Sequence, residues 1–333
     1  MPRLPALKEK MTKTLLIFAC SLVFAFCVLE AKAQSYRVEN TGIFIPQKKK
    51  VLLLAKGQSS NKIILFQTHL RVNTDGSPRS YHPSDLYADQ NLALNNICNG
   101  VSVKKTGSTE NLCLKKGHFA EAVEAFRSFQ NSNYLKQPDG YKITWANVFA
   151  ARKVNNREIP CIFQSGDYKG YFGSLTRQKN GLTNDKGECE INDQLNAEKI
   201  PTLVLAGGRN ILTAFGAEVG DLLVAYNPRT QIYVAAIIGD TGPPDNLGEG
   251  SIALDLKLRG RSEIPKNYAE LKRLSIENTQ VLVAIIQGSN TYSVSKPFTV
   301  INIEDRVMMW QRQFGFSTPE SFVAMMRSFS KQL

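Results

Sequence analysis

The stretch Tyr233-Val234-Ala235-Ala236-Ile237-Ile238-Gly239-Asp240-Thr241-Gly242 runs on through Pro243-Pro244-Asp245-Asn246-Leu247-Gly248 to Glu249-Gly250-Ser251-Ile252-Ala253-Leu254. Its first six residues are almost continuously apolar, the pattern of a strand buried on both faces. The strand emerges directly as an acid, Asp240. A Gly/Pro-rich loop follows, and then a second acid, Glu249, at the start of a helix read from Ser251 to Leu258 and stopped by Gly260. Taken singly, Asp240 reads as a turn residue and Glu249 as a cap-region charge. Together, two carboxylates nine positions apart can face each other across a cleft, the pair that glycoside hydrolysis requires.

Outward from this segment the chain reads as β-rich. Thr202 to Ala206 is a strand, and Asp221 to Tyr226 with Gln231 to Gly239 form a hairpin around Asn227-Pro228-Arg229-Thr230. Further strands are expected at Gly42 to Ile45, Val51 to Ala55, Lys62 to Val72 and Val281 to Ile286, with turns at Pro46-Gln47, Gly57-Gln58-Ser59-Ser60 and Asn73-Thr74-Asp75-Gly76. Between 141 and 176 aromatic and β-branched residues predict strands, including Tyr168 to Leu175, before a polar loop from Arg177 to Asp193. Helices are expected after Pro83-Ser84-Asp85, carrying Leu86, Leu92, Leu94 and Ile97, and at His118 to Phe129. Two more are expected in the tail from Asp305 to Lys331, split at Gly315 and capped by Ser317 or Thr318. The fold class is mainly β with added helices (α+β), in one domain over residues 34–333.

Residues 1–33 read as a leader. Lys8, Lys10 and Lys13 precede the apolar run Leu15 to Leu29, and Ala31-Lys32-Ala33 offers small residues at a cleavage point before Gln34. Met11-Thr12-Lys13 would make the more ordinary leader start. Phe26 is too large for a lipobox before Cys27, and Cys20 falls too early in the run. No later segment approaches the roughly 20 apolar residues of a membrane helix. A secreted or periplasmic location follows.

Export makes the remaining cysteines, Cys98, Cys113, Cys161 and Cys189, candidates for two disulfides. Four cysteines allow three pairings; closing the shortest loops gives Cys98–Cys113 and Cys161–Cys189. No CxxC or histidine pair marks a zinc site, because His69, His82 and His118 are scattered. The full chain carries 41 Lys and Arg against 29 Asp and Glu. Removing the leader leaves 36 against 27, a net +9, which favours anionic surroundings such as wall polymers. No basic stripe interleaved with aromatics points to nucleic acid, and Lys48-Lys49-Lys50 reads as a solvated turn. A monomer without a cofactor is expected.

The pattern Gly239-Asp240-Thr241, a short Gly/Pro loop, and Gly248-Glu249-Gly250-Ser251-Ile252-Ala253-Leu254 resembles the catalytic signature of glycoside hydrolase family 75, the fungal chitosanases and their bacterial relatives. Asp75-Gly76 through Tyr81-His82-Pro83, Ile200 to Leu205, Gly220 to Leu223 and Val281 to Gly288 resemble further blocks in the same order. The resemblance spans most of residues 65–290 and is sharp only at Asp240 to Glu249. It implies a six-stranded barrel of the double-psi type with peripheral helices. The implied activity is inverting endo-hydrolysis of β-1,4-linked glucosamine polymer, with Asp240 and Glu249 as the catalytic carboxylates. Asp75, Tyr81 and Thr241 form the candidate substrate-binding set. Trp145 is read as core. A helix N-terminus favours Glu249 as base, whereas its longer reach favours it as acid; we take Glu249 as acid and Asp240 as base, with the reverse open.

Two rivals stand beside this. Asp240-Thr241-Gly242 is also the aspartic-protease tripeptide, but that chemistry needs two such aspartates, and no second Asp-Thr/Ser-Gly occurs. A non-catalytic glycan-binding wall protein on the same fold is the other. A polycationic substrate fits a chain of net +9 poorly, unless a local acidic cleft overrides the overall field.

Overall fold

The computed structural model describes residues 36–57, 62–146, 148–180 and 189–333. The leader, its cleavage after Ala33, part of the turn at 57–60 and part of the loop at 177–193 lie outside the described residues.

Period-two alternation builds the core. In β12 (Ile276–Ile286), Val281, Val283 and Ile285 join one apolar cluster, while Leu282, Ala284 and Ile286 join another. β3 (Lys62–Asn73) divides likewise, Ile64, Phe66 and Leu70 against Ile63 and Leu65. Both faces of these strands are therefore covered. The second cluster includes Ile303, Val307 and Trp310 of α5 (Val300–Gln313) and Phe322 of α6 (Pro319–Ser330), so it lies outside the sheet under the C-terminal helices. The first fills the inside of a closed ring.

That ring runs β3, β11 (Glu249–Ser251), β8 (Thr202–Ala206), β10 (Ile232–Gly242), β9 (Leu222–Asn227), β12 and back to β3. β10 runs parallel to β8, and β11 parallel to β3; the other four pairings are antiparallel. β1 (Tyr36–Phe44) and β2 (Lys49–Lys56) extend the sheet from the β3 edge. The protein is thus mainly β with helices added around a six-stranded barrel. α2 (Ile211–Ala214), α3 (Ile252–Leu258) and α4 (Tyr268–Lys272) sit in its connections.

The long passage from β3 to β8 carries a third core. β4 (Val101–Lys105) pairs with β5 (Tyr141–Trp145), and α1 (Phe119–Asn131) packs Val123, Phe126 and Phe129 against them. A small hairpin, β6 (Ala151–Val154) with β7 (Arg157–Pro160), follows. Both disulfides lie in this passage with the short-loop pairing, Cys98–Cys113 and Cys161–Cys189.

Three local expectations are corrected. No α-helix follows Pro83 up to Ile97, where a short 3-10 turn, Ile97–Asn99, forms: the Asp85 carboxylate accepts the backbone N–H groups of Asp89, Gln90, Leu92 and Ala93, so it organises a loop instead. Tyr168 to Leu175 forms only isolated bridges, Ile162 with Phe172 and Phe149 with Ser174. The first tail helix begins at Val300, where Thr299 caps it; Thr318 caps the second. Among the described residues no helix is long and apolar enough to cross a membrane.

Candidate active site

Strand alternation alone would send Asp240 into the barrel. Val234, Ala236 and Ile238 all belong to the interior cluster, and Asp240 is next in step. The register breaks between Ile238 and Asp240: Ile238 pairs with Leu203 but Asp240 with Val204, so Gly239 is an extra residue on β10. This bulge turns Asp240 onto the outer face, as bulges re-aim side chains beside sites. Glu249 arrives there by another route, since it pairs with the same Val204 from β11 on the far side of β8. Residues paired across neighbouring strands share a face, so both acids project from one side of the sheet with Val204 between them.

Each carboxyl has a distinct set of donors. Oδ1 of Asp240 accepts the backbone N–H groups of Arg177 at 2.9 Å and Thr241 at 2.8 Å. Oδ2 has no hydrogen bond among the described residues. Burial raises Asp240 above the usual carboxylate range against those two donors, and the negative charge of Glu249 adds to the rise. Glu249 accepts at both oxygens, from Asn73 Nδ2 at 3.1 Å on Oε2 and from Asn246 Nδ2 on Oε1. It belongs to β11 and not to a helix start; the cap of α3 is Ser251. The helix-terminus argument for Glu249 as base therefore lapses, and two side-chain amides hold it instead.

Asp75 completes a carboxylate cluster. It follows the end of β3, and its N–H donates to Asn73 Oδ1 at 2.6 Å. Its Oδ1 receives the Tyr81 hydroxyl at 3.3 Å and Asn99 Nδ2 at 3.4 Å. Burial first, then the charges of Asp240 and Glu249, push the Asp75 carboxyl up to about 7. Asn73 thus holds both Glu249 and the turn that presents Asp75.

A cleft of about 720 Å³ opens over Asp75, Asp240 and Thr241, with Trp145, Glu158 and Arg177 also on its walls. Glu249 is not on its lining. Thr241 is exposed at the cleft, as a substrate contact requires. Tyr81 differs from expectation: it is only 1% exposed and stacks on Phe149 with ring centroids 4.7 Å apart. It has no free face for a sugar and acts through its hydroxyl on Asp75. Trp145 differs the other way, packing beside Phe149 while also facing the cleft. Asn73, Asn99, Asn246 and Arg177 were not singled out from sequence; only the turn Asn73 to Gly76 hinted at the first.

Asp75 and Asp240 share the cleft, yet no hydrogen bond joins their carboxyls among the described residues, and Asp75 is committed to Tyr81 and Asn99. An aspartate pair sharing one proton is not what this geometry offers. Among the described residues no group of three or more His, Cys, Asp or Glu is arranged to hold a metal ion. Comparison with known protein families finds no match to this chain, and comparison with curated proteins finds none.

Proposed function

We propose that the protein is an exported glycoside hydrolase of the family 75 type, cleaving β-1,4-linked glucosamine polymer, chitosan or a related wall glycan, within the chain and with inversion. The observation that carries this reading is the placement of Asp240 and Glu249 on either side of Val204. Two strand spacings put their Cα atoms about 9.5 Å apart. That separation is compatible with the roughly 6.5–9.5 Å between inverting carboxyls, which leaves room for a water.

The hydrogen bonds favour Asp240 as the acid and Glu249 as the base, the reverse of the assignment taken from side-chain reach. Oδ2 of Asp240, which has no hydrogen bond among the described residues, is placed to carry a proton, and burial favours the neutral form. Glu249 accepts a side-chain amide at each oxygen, an arrangement that suits a base. Asp75, its carboxyl pushed up to about 7, keeps part of a second proton at neutral pH, which spares the site part of a second negative charge.

Proton NMR of the first products from a chitosan oligomer tests the stereochemistry. Inversion delivers the α-anomer before mutarotation, and initial β-anomer would overturn it. A non-catalytic glycan-binding role predicts binding without release of reducing ends.

A further inference from the structure

Beyond Asn99 lies a second groove, of about 690 Å³, that the proposed reaction does not use. It adjoins the cluster at two points. Asn99 lines it while reaching Asp75 Oδ1 and donating to the Tyr81 hydroxyl at 2.6 Å. Arg71, also on its wall, pairs with Glu249 across β3 and β11. Thr74 on its wall is the chain neighbour of Asp75 on the wall of the cleft.

The walls suit a sugar. Asn95, Asn96 and Asn99 line it; the Asn95 amide is engaged by Thr74 and the Asn99 amide by Tyr81 and Asp75, while the Asn96 amide brings a donor and an acceptor of the kind that hydroxyl and acetamido groups require. Tyr268 lines it with Lys272 Nζ 4.3 Å from the ring centroid, and Leu114 is 83% exposed at its rim. Such a mix of apolar surface and convergent polar groups marks small-ligand sites. The groove presents Arg71 and Lys272 against Glu277.

We propose that this groove is a second saccharide subsite selective for an N-acylated or acidic sugar over a free amino sugar. The substrate, given the hydrolase reading above, is then a mixed polymer with a free amino sugar in the cleft and an acylated or acidic unit beyond Asp75. Like charge on Arg71 and Lys272 disfavours a glucosammonium unit there, while the Asn96 amide matches an acetamido group.

The test is calorimetric binding of the N-acetylglucosamine tetramer and the glucosamine tetramer to full-length Asp240→Asn protein, alone and combined with Asn96→Ala or Lys272→Glu. Reducing-sugar release from chitosan by Asn96→Ala and Lys272→Glu in the otherwise wild-type chain is measured alongside. Asn96→Ala is expected to weaken the acetylated tetramer about three- to tenfold, the loss of one hydrogen bond, and to leave the glucosamine tetramer unchanged. Lys272→Glu, a surface change, is expected to weaken the first and tighten the second. Equal affinities in every variant, or no binding of either tetramer, overturn the subsite. Chitosan cleavage with indifferent groove variants removes the subsite and leaves the hydrolase; groove-dependent binding without cleavage does the opposite.

Discussion

Asp240 and Glu249 stand opposite one residue, Val204, from the two strands that flank β8. The nine positions between them in sequence become two strand spacings in the sheet. Gly239 makes this arrangement by bulging, and the loop 242–248 returns the chain to the far side of β8. The pair rests on backbone pairing more than on side-chain packing.

Gly248 sets the entry to β11. Its φ is +99°, and a Cβ there would collide with the carbonyl oxygen of His69 and lie 2.5 Å from Thr68 Oγ1. Gly248→Ala is expected to cost at least about 2 kcal/mol from backbone strain and overpacking. Thermal unfolding should show the loss, and hydrolysis should fall further than stability because Glu249 is the next residue.

Asn73 donates to Glu249 and accepts from the Asp75 N–H. Asn73→Ala should lower kcat about ten- to a hundredfold, the worth of a hydrogen bond to a charged group. KM should change little, since the substrate walls remain. A purely structural role would lower the melting point and leave kcat of the folded fraction intact.

Asp75 links the site to pH. Its folded carboxyl sits up to about 7, above an unfolded value near 3.9, so the folded state binds the proton more tightly. Stability is then lost as pH rises through about 4 to 7 and levels off above. Asp75→Asn removes that loss. The variant should melt higher than wild type at pH 8, by about 2–4 °C for each kcal/mol regained, and gain nothing at pH 4. Its activity should survive at a tenth or more of wild type, in contrast to the about 10²–10⁴-fold loss expected for Asp240→Asn.

The disulfides brace the passage that carries Asn99 and Arg177. Cys98–Cys113 closes 15 positions and Cys161–Cys189 closes 28. Chain-entropy arguments give about 3 kcal/mol for the first and slightly more for the second. Replacing Cys98 and Cys113 with Ser should lower urea resistance by that order and weaken activity through Asn99, which follows Cys98 in the chain.

The strand Tyr233 to Ile238, its hairpin partner and the disulfide pairing were legible because each is a local signal: apolar continuity, a turn, short loops. The acids were legible because strand end and glycine loop are written consecutively. Their supports were not. Asn73 meets Glu249 across 176 positions, and nothing near Asn73 announces that β11 will pair with β3. The helix expected after Asp85 failed for a related reason. Apolar spacing was present, but the Asp85 carboxylate takes four backbone N–H groups, and side-chain capture of that extent has no periodic trace. Tyr81 and Trp145 exchanged roles because aromatic composition does not tell which ring closes a core and which stops at its edge.

The most direct test of the proposed chemistry is reducing-sugar release from chitosan and from purified peptidoglycan by the protein lacking residues 1–33, beside Asp240→Asn and Glu249→Gln. Release is expected from a polymer containing free amino sugars, abolished in both variants while their melting curves stay cooperative. Release that survives both substitutions would contradict the assignment of Asp240 and Glu249. No release by the unsubstituted protein would contradict hydrolysis of these glycans.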